Sequence, residues 1–428
     1  MKRAAAYFAL LAVSNLCFSQ QYKVIHAFNF LAGDGSAPYA GLIADKAGNL
    51  YGTTSSGGTG VGQGGTVFEL SPDGSSGWSE TILYNFCQSG YPCVDGNYLE
   101  DTLTMDAAGN LYGTTEAGGT GGAPGGGGAG VVFELSPPMQ QVGAWTETVL
   151  YNFCSDYINS VCLDGAFPYS NVIFDTLGNI YGTTSAGGAE NGGIVFELSP
   201  GSAGYTENVI HTFCSNYRNG LCLDGFYPDG GLTFDKSGNF WGTTSEGGTS
   251  PQGDGSGMIF KLSPGTKGWA ETTVYNFGLP QPTTPLTAVT LDSAGNIYGT
   301  LARNGVHKNS GGLFQWTRSN GLREIEFKGV DGASPNGTIL IDSSGRGFFG
   351  TTTLGGKDGL DNDLGAGVVY HVSPAGKKTT IYEFCSQANC TDGQNPTGNL
   401  VEDAQGNLYG TASQGGTYGA GVVFEITP

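Results

Sequence analysis

The sequence predicts an all-β chain that folds as a seven-bladed β-propeller, with four strands to a blade. Three observations lead there. One short motif recurs seven times, each recurrence is flanked by four strand-like segments, and the two ends of the repeated region supply different parts of one unit.

The motif is clearest as Gly-Asn-Leu-Tyr-Gly-Thr-Thr at 48–54 and 109–115. It returns with small changes at 178–184, 238–244, 295–301, 345–352 and 406–412. The glycine after the aromatic residue falls at 52, 113, 182, 242, 299, 350 and 410, a spacing of 51 to 69 residues. Units of this length fill residues 20–428, which read as one repeat domain with no room for a second.

Each element follows from local chemistry. The first strand of a unit, such as Gly231–Asp235, runs into an Asp-x-x-Gly-Asn turn. There Asp caps nearby backbone amides and glycine accepts a positive φ. The motif itself forms the second strand. A glycine-rich loop leads to a third strand of the type Val67–Pro72, and the fourth is of the type Glu147–Phe153. These segments are rich in β-branched and aromatic residues and are bounded by Gly, Pro, Asn or Asp. Beyond the N-terminal stretch, no segment sustains a 3.6-residue period. Tyr22–Phe30 has the fourth-strand pattern and Val422–Pro428 the third-strand pattern. The N-terminal strand is therefore expected to complete the last blade and close the ring, whereas an open solenoid favours distinct caps.

Composition narrows function. With 37 acidic against 17 basic residues the net charge is −20. Nucleic acid, which is bound through clustered Lys and Arg, is an unsuitable partner. The 76 glycines follow no Gly-X-Y period, which excludes collagen, and 23 Phe and 21 Tyr at recurring places argue against disorder. Residues 1–19 read as a signal peptide: Lys2 and Arg3, then an apolar run from Ala4 to Leu16 too short to span a bilayer, then small residues before Gln20. Leu16 disfavours lipidation of Cys17. No later segment reads as a transmembrane helix. Eight further cysteines fall in close pairs, Cys87 with Cys93, Cys154 with Cys162, Cys214 with Cys222, and Cys385 with Cys390. They occupy one point of the repeat, so four local disulfides are expected in an exported chain. Metal–thiolate sites are disfavoured, because the spacings vary and three pairs have no histidine nearby.

The repeat, with its Gly-Asn-Leu-Tyr-Gly-Thr-Thr motif, glycine-rich loop and Val-Phe-Glu-Leu-Ser-Pro strand, resembles the bacterial GloVer (Gloeo/Verruco) tandem repeat across residues 20–428. The resemblance implies an exported or surface protein, often with a C-terminal anchor, and no particular reaction. The sequence ends at Pro428 without an anchor of that kind. The strand layout is also similar to that of NHL-type and lactonase-like propellers, an analogy of fold only.

Strands alternate in direction, so connections alternate between two faces of the ring. Short uniform turns share one face. The glycine-rich and cysteine loops, which vary in length, share the other, and that face is expected to bind. Six units carry Asp-Gly after the fourth strand, at Asp34, Asp95, Asp164, Asp224, Asp331 and Asp392. These aspartates are expected to ring the channel mouth, where they would hold a cation or sugar hydroxyls. Their repetition favours turn chemistry over catalysis, since one active site needs asymmetry. Asymmetric candidates are Arg303, Asn304, His307 and Lys308, an anion or sugar site, and Asp358, Asp361 and Asp363, oxygen ligands for calcium. No other cofactor is implied, and the glycine-rich loops lead into strands rather than into the helix N-terminus a phosphate loop needs.

His26 and His211 stand where other units have Tyr84, Tyr151 and Tyr275, and His371 stands where they have Glu69, Glu134 and Glu425. The recurrent glutamates, Glu80, Glu147, Glu207 and Glu271 among them, read as strand-edge pairs. The motif aromatics from Tyr51 to Tyr409 read as blade-to-blade packing. The expected function is a monomeric, non-catalytic binding or scaffolding module at the cell envelope or outside the cell, with carbohydrate or protein as ligand. The alternative is a hydrolase or lyase acting on a polysaccharide or lactone through channel-mouth carboxylates. One pocket with an asymmetric polar cluster would favour the enzyme, and seven near-equivalent mouths the scaffold.

Overall fold

A computed structural model describes residues 21–74, 77–122, 127–139, 143–249, 255–305, 310–356 and 365–427. Seven four-stranded antiparallel sheets form a seven-bladed β-propeller. Blade 3 is representative, with strands Ile173–Phe174, Ile180–Thr184, Ile194–Gly201 and Gly204–Thr212 from the axis outward. Blade 1 runs from Ile43–Ala44 to Trp78–Asn85, and blade 2 from Thr104–Met105 to Thr146–Asn152. Blades 4, 5 and 6 begin at Thr233–Phe234, Thr290–Leu291 and Leu340–Ile341. Blade 7 takes three strands from the C-terminal end and its outer strand, Gln21–Ala27, from the N-terminal end. Tyr22 lies opposite Ile426 and Ala27 opposite Val422, so the ring closes as the sequence predicts.

The turn between the first two strands is held by its aspartate. Asp175 accepts the backbone N–H groups of Leu177 and Asn179 at 2.8 and 2.9 Å, the Asn179 side-chain amide at 2.8 Å, and the Tyr181 hydroxyl at 3.1 Å. Gly178 takes φ +84°, which only glycine adopts cheaply. The motif glycine has a different reason. A Cβ on Gly182 would lie 2.6 Å from the ring of Phe196 on the neighbouring strand, so the phenyl group fills the space a side chain would need.

The core lies between blades. Tyr51 of blade 1 packs with Leu103, Leu111 and Phe133 of blade 2, and Tyr112 and Phe153 of blade 2 pack with Ile180 and Phe196 of blade 3. At the seam, Phe28 meets Phe68 and Trp78 meets Tyr409. In five blades the first threonine of the motif also reaches the next blade. Thr183 Oγ1 donates to Gly230 O (3.2 Å), Thr243 to Thr287 O (3.1 Å), and Thr411 across the seam to Ala40 O (2.6 Å). All four expected disulfides are present.

Candidate functional site at the channel mouth

The approach to each innermost strand is built the same way in every blade. The third residue after the Asp-Gly aspartate is left-handed although it is not glycine: φ is +55° at Ala37, +60° at Tyr98, +57° at Phe167, +56° at Tyr227, +51° at Ser334 and +57° at Asn395. Thr284 does the same in blade 5, at +63°. Such a conformation costs about 1–3 kcal/mol and persists only where neighbours enforce it. Here both neighbouring loops do. Phe167 N donates to Ala129 O of the preceding blade (2.8 Å), and Phe167 O accepts Ser185 N of its own blade (3.0 Å).

The result is that the residue two positions on points into the channel. These residues are Tyr39, Glu100, Tyr169, Asp229, Leu286, Asn336 and Thr397, one per blade, and all line a cavity of about 360 Å³. It opens on the face that carries the glycine-rich and cysteine loops. Below the ring, polar groups of blades 1, 2, 6 and 7 bond to one another. Thr102 Oγ1 accepts Gly41 N and Asn399 Nδ2, each at 3.2 Å, and Asn399 Oδ1 accepts Thr338 N at 2.6 Å. The adjoining stretch is apolar, lined by Leu42, Ile43, Ile339, Leu340, Leu400 and Val401.

The mouth is acidic on one side, and among the described residues no Lys, Arg or His lines it. Glu100 and Asp101 come from blade 2 and Asp229 from blade 4, with Tyr169 of blade 3 between them. Burial, then the charge of Glu100, pushes the Asp101 carboxyl up to about 7, although the amides of Thr102 and Asn171 favour its charged form. Burial also raises Asp229 to about 6, against a 2.6 Å hydrogen bond from the Ser245 hydroxyl. Glu100 is raised by burial and by Glu116. The arrangement offers hydrogen-bond acceptors and proton-bearing carboxyls to a ligand without negative charge.

Residues 12–255 and 250–428 match the Gloeobacter/Verrucomicrobia repeat. The chain belongs to this repeat family. No curated protein matches it. Similar solved structures include PorZ of Porphyromonas gingivalis, a surface component of the type-IX secretion system. It is 14% identical, with a TM-score of 0.49, over 92% of this chain and 47% of that one. A putative 6-phosphogluconolactonase from Bacteroides uniformis is 14% identical, with a TM-score of 0.45, over 80% of this chain and 83% of its own. These likenesses are of fold alone.

Within this Gloeobacter/Verrucomicrobia repeat protein, the Asp-Gly aspartates do not ring the mouth. Each holds its own loop. Asp95 accepts Cys87 N (3.1 Å) and the Tyr84 hydroxyl (3.2 Å), and Asp164 accepts Ser155 N and the Tyr151 hydroxyl, both at 2.8 Å. Asp224 accepts the Ser215 hydroxyl (2.5 Å) and Asn216 N (3.2 Å). Asp331 accepts Lys328 N (2.7 Å) and pairs with Lys378 (2.9 Å), and Asp392 accepts Ser386 N (2.9 Å) and the Tyr382 hydroxyl (2.7 Å). Arg303 and Asn304 form a two-residue strand with Pro282–Thr283, away from the cavity. His307, Lys308, Asp358, Asp361 and Asp363 lie outside the described residues, as do residues 1–20.

The outer-strand glutamates do not simply pair along strand edges. Glu147, Glu207 and Glu271 each face the aspartate of the preceding loop, Asp95, Asp164 and Asp224. Sequence reasoning missed Glu100, Asp101, Tyr169 and Asp229. Their signal is present, however. The residue after the loop proline, or after Leu99 in the second unit, differs from blade to blade while its flanks repeat.

Proposed function

We propose that this chain is an exported, non-catalytic binding module that takes a neutral, hydroxyl-rich ligand, a carbohydrate, at the channel mouth. The observation that carries the reading is the ring of seven side chains at one repeat position. The scaffold around them is constant, whereas their identities vary and include Tyr, Glu, Asp, Asn and Thr but no cation. Sugars are held by such mixed donors and acceptors beside aromatic faces, and an anionic ligand would meet only repulsion here. Four disulfides accord with an oxidising compartment outside the cytoplasm, and the N-terminal sequence with export.

A polysaccharide pull-down tests this. Selective retention on one glycan is expected, falling at least tenfold in Glu100→Gln and Asp229→Asn and unchanged in Arg303→Ala. Loss in Arg303→Ala alone would move the site to the fifth loop. Absence of retention on every glycan would sink the carbohydrate reading and leave an envelope protein as partner. One observation favours a second reading. Asp101 and Asp229 are partly buried acids held near neutrality, the condition a hydrolase or lyase acting on polysaccharide needs for proton transfer. Release of reducing ends from the retained glycan, abolished in Asp101→Asn, would establish that reading in place of simple binding.

A further inference from the structure

The ring seam carries a feature that most blade interfaces lack. In blades 1, 2 and 6 the outer strand places a tyrosine, Tyr84, Tyr151 or Tyr382, whose hydroxyl donates to the aspartate of the following loop. On the N-terminal strand that position is His26, opposite Val423 as Tyr84 is opposite Val67. His26 Nε2 lies 3.2 Å from Asp34 Oδ2 and 3.4 Å from Glu80 Oε1, the glutamate coming from the outer strand of blade 1. Among the described residues, these three are the one set of His, Cys, Asp or Glu whose ligand atoms converge within 4.8 Å.

An Nε2–H can be aimed at one carboxylate oxygen, and the buried Glu80 Oε1 makes no hydrogen bond of acceptable geometry. One bound cation would satisfy all three atoms. Zinc–ligand bonds of about 2.0–2.2 Å at tetrahedral angles put ligand atoms roughly 3.4 Å apart, close to the two separations seen. Imidazole plus two carboxylates suits zinc and similar first-row divalent ions better than calcium or magnesium, which favour all-oxygen sites. Asp34 is already oriented by the backbone N–H groups of Asn29 (3.0 Å) and Gly35 (2.6 Å), as outer partners orient metal ligands. Side-chain exposures of 18, 12 and 16% leave room for water to complete the coordination.

We propose that His26, Asp34 and Glu80 form a structural site for zinc or a similar first-row divalent cation that clamps the N-terminal strand to blade 1 at the closure of the ring. A related trio, His211, Asp224 and Glu271, stands at the interface of blades 3 and 4 but does not converge in this way.

The test uses the untagged chain stripped with a chelator and titrated with zinc(II) alone, read by calorimetry and thermal melting. One zinc per chain and a raised melting temperature are expected. His26→Tyr supplies the residue other blades use, so it keeps the bond to Asp34 while removing the nitrogen ligand. It is expected to melt like the metal-free parent and to bind zinc at least about 100-fold more weakly, since even an outer partner of a metal site is worth roughly 10–100-fold. The proposal fails if the parent binds no zinc, if His26→Tyr binds it undiminished, or if His211→Tyr alone removes it.

Discussion

At the scale of single residues, the glycine after the motif aromatic records contact rather than backbone freedom. Gly182 is not in the left-handed region, and its constraint is the Phe196 ring beside it. Gly182→Ala is therefore expected to destabilise the fold by about 1–3 kcal/mol through overpacking. Phe196→Leu in the same background should return part of the loss. Urea midpoints of the two variants would decide, and an unchanged midpoint for Gly182→Ala would refute the steric account. The repetition of this glycine was legible in the sequence. Its neighbour was not, because Phe196 is fourteen positions away and meets it only through strand pairing.

At the scale of elements, strand pattern and turn chemistry were readable because they are local. Alternation, bounding glycines and the Asp-x-x-Gly-Asn turn each act within a few residues. What the second strand does beyond its own sheet was not readable. The Thr183 hydroxyl reaches 47 residues along the chain to Gly230 O and also meets the Ser170 hydroxyl at 2.7 Å. Thr183→Val keeps the shape and leaves that buried carbonyl without its side-chain donor. A loss of about 1–2 kcal/mol is expected, with the urea m-value unchanged. If stability is unaltered, the inter-blade threonines do not hold the ring together.

At the scale of the whole molecule, buried carboxyls tie stability to pH. Burial, then the facing aspartate, lifts Glu147, Glu207 and Glu271 from an ordinary 4.5 to about 7. Their protonated forms are favoured by folding, so this stability is fully present below about pH 4.5 and is lost as pH rises through 7. Asp101 and Asp229 act in the same sense. His211, pushed down to about 4 by burial, acts oppositely: its contribution is present above about 6.5 and lost as pH falls. The turn aspartates Asp175, Asp235 and Asp292 are lowered, their hydrogen bonds outweighing burial, and withdraw stability only below the ordinary 3.8. The raised carboxyls outnumber the histidine, so melting temperature is expected to peak near pH 4–5 and fall toward pH 7. Glu147→Gln with Glu207→Gln should flatten that fall. A melting temperature that rises over this interval would contradict the assignment.

The sequence by itself determined the repeat count, the strands, the turns, the disulfide partners and the closing strand. These depend on spacing, alternation and residue chemistry within one unit, and each appears several times. Tertiary structure alone decided which residues face the channel. The Asp-Gly aspartates looked like a mouth because they recur, yet their carboxylates are taken up by their own loops. Tyr39, Glu100, Tyr169 and Asp229 reach the mouth because a left-handed residue two positions earlier, clamped between neighbouring blades, turns the chain inward. That direction is set by hydrogen bonds between units, and a unit read alone does not contain them.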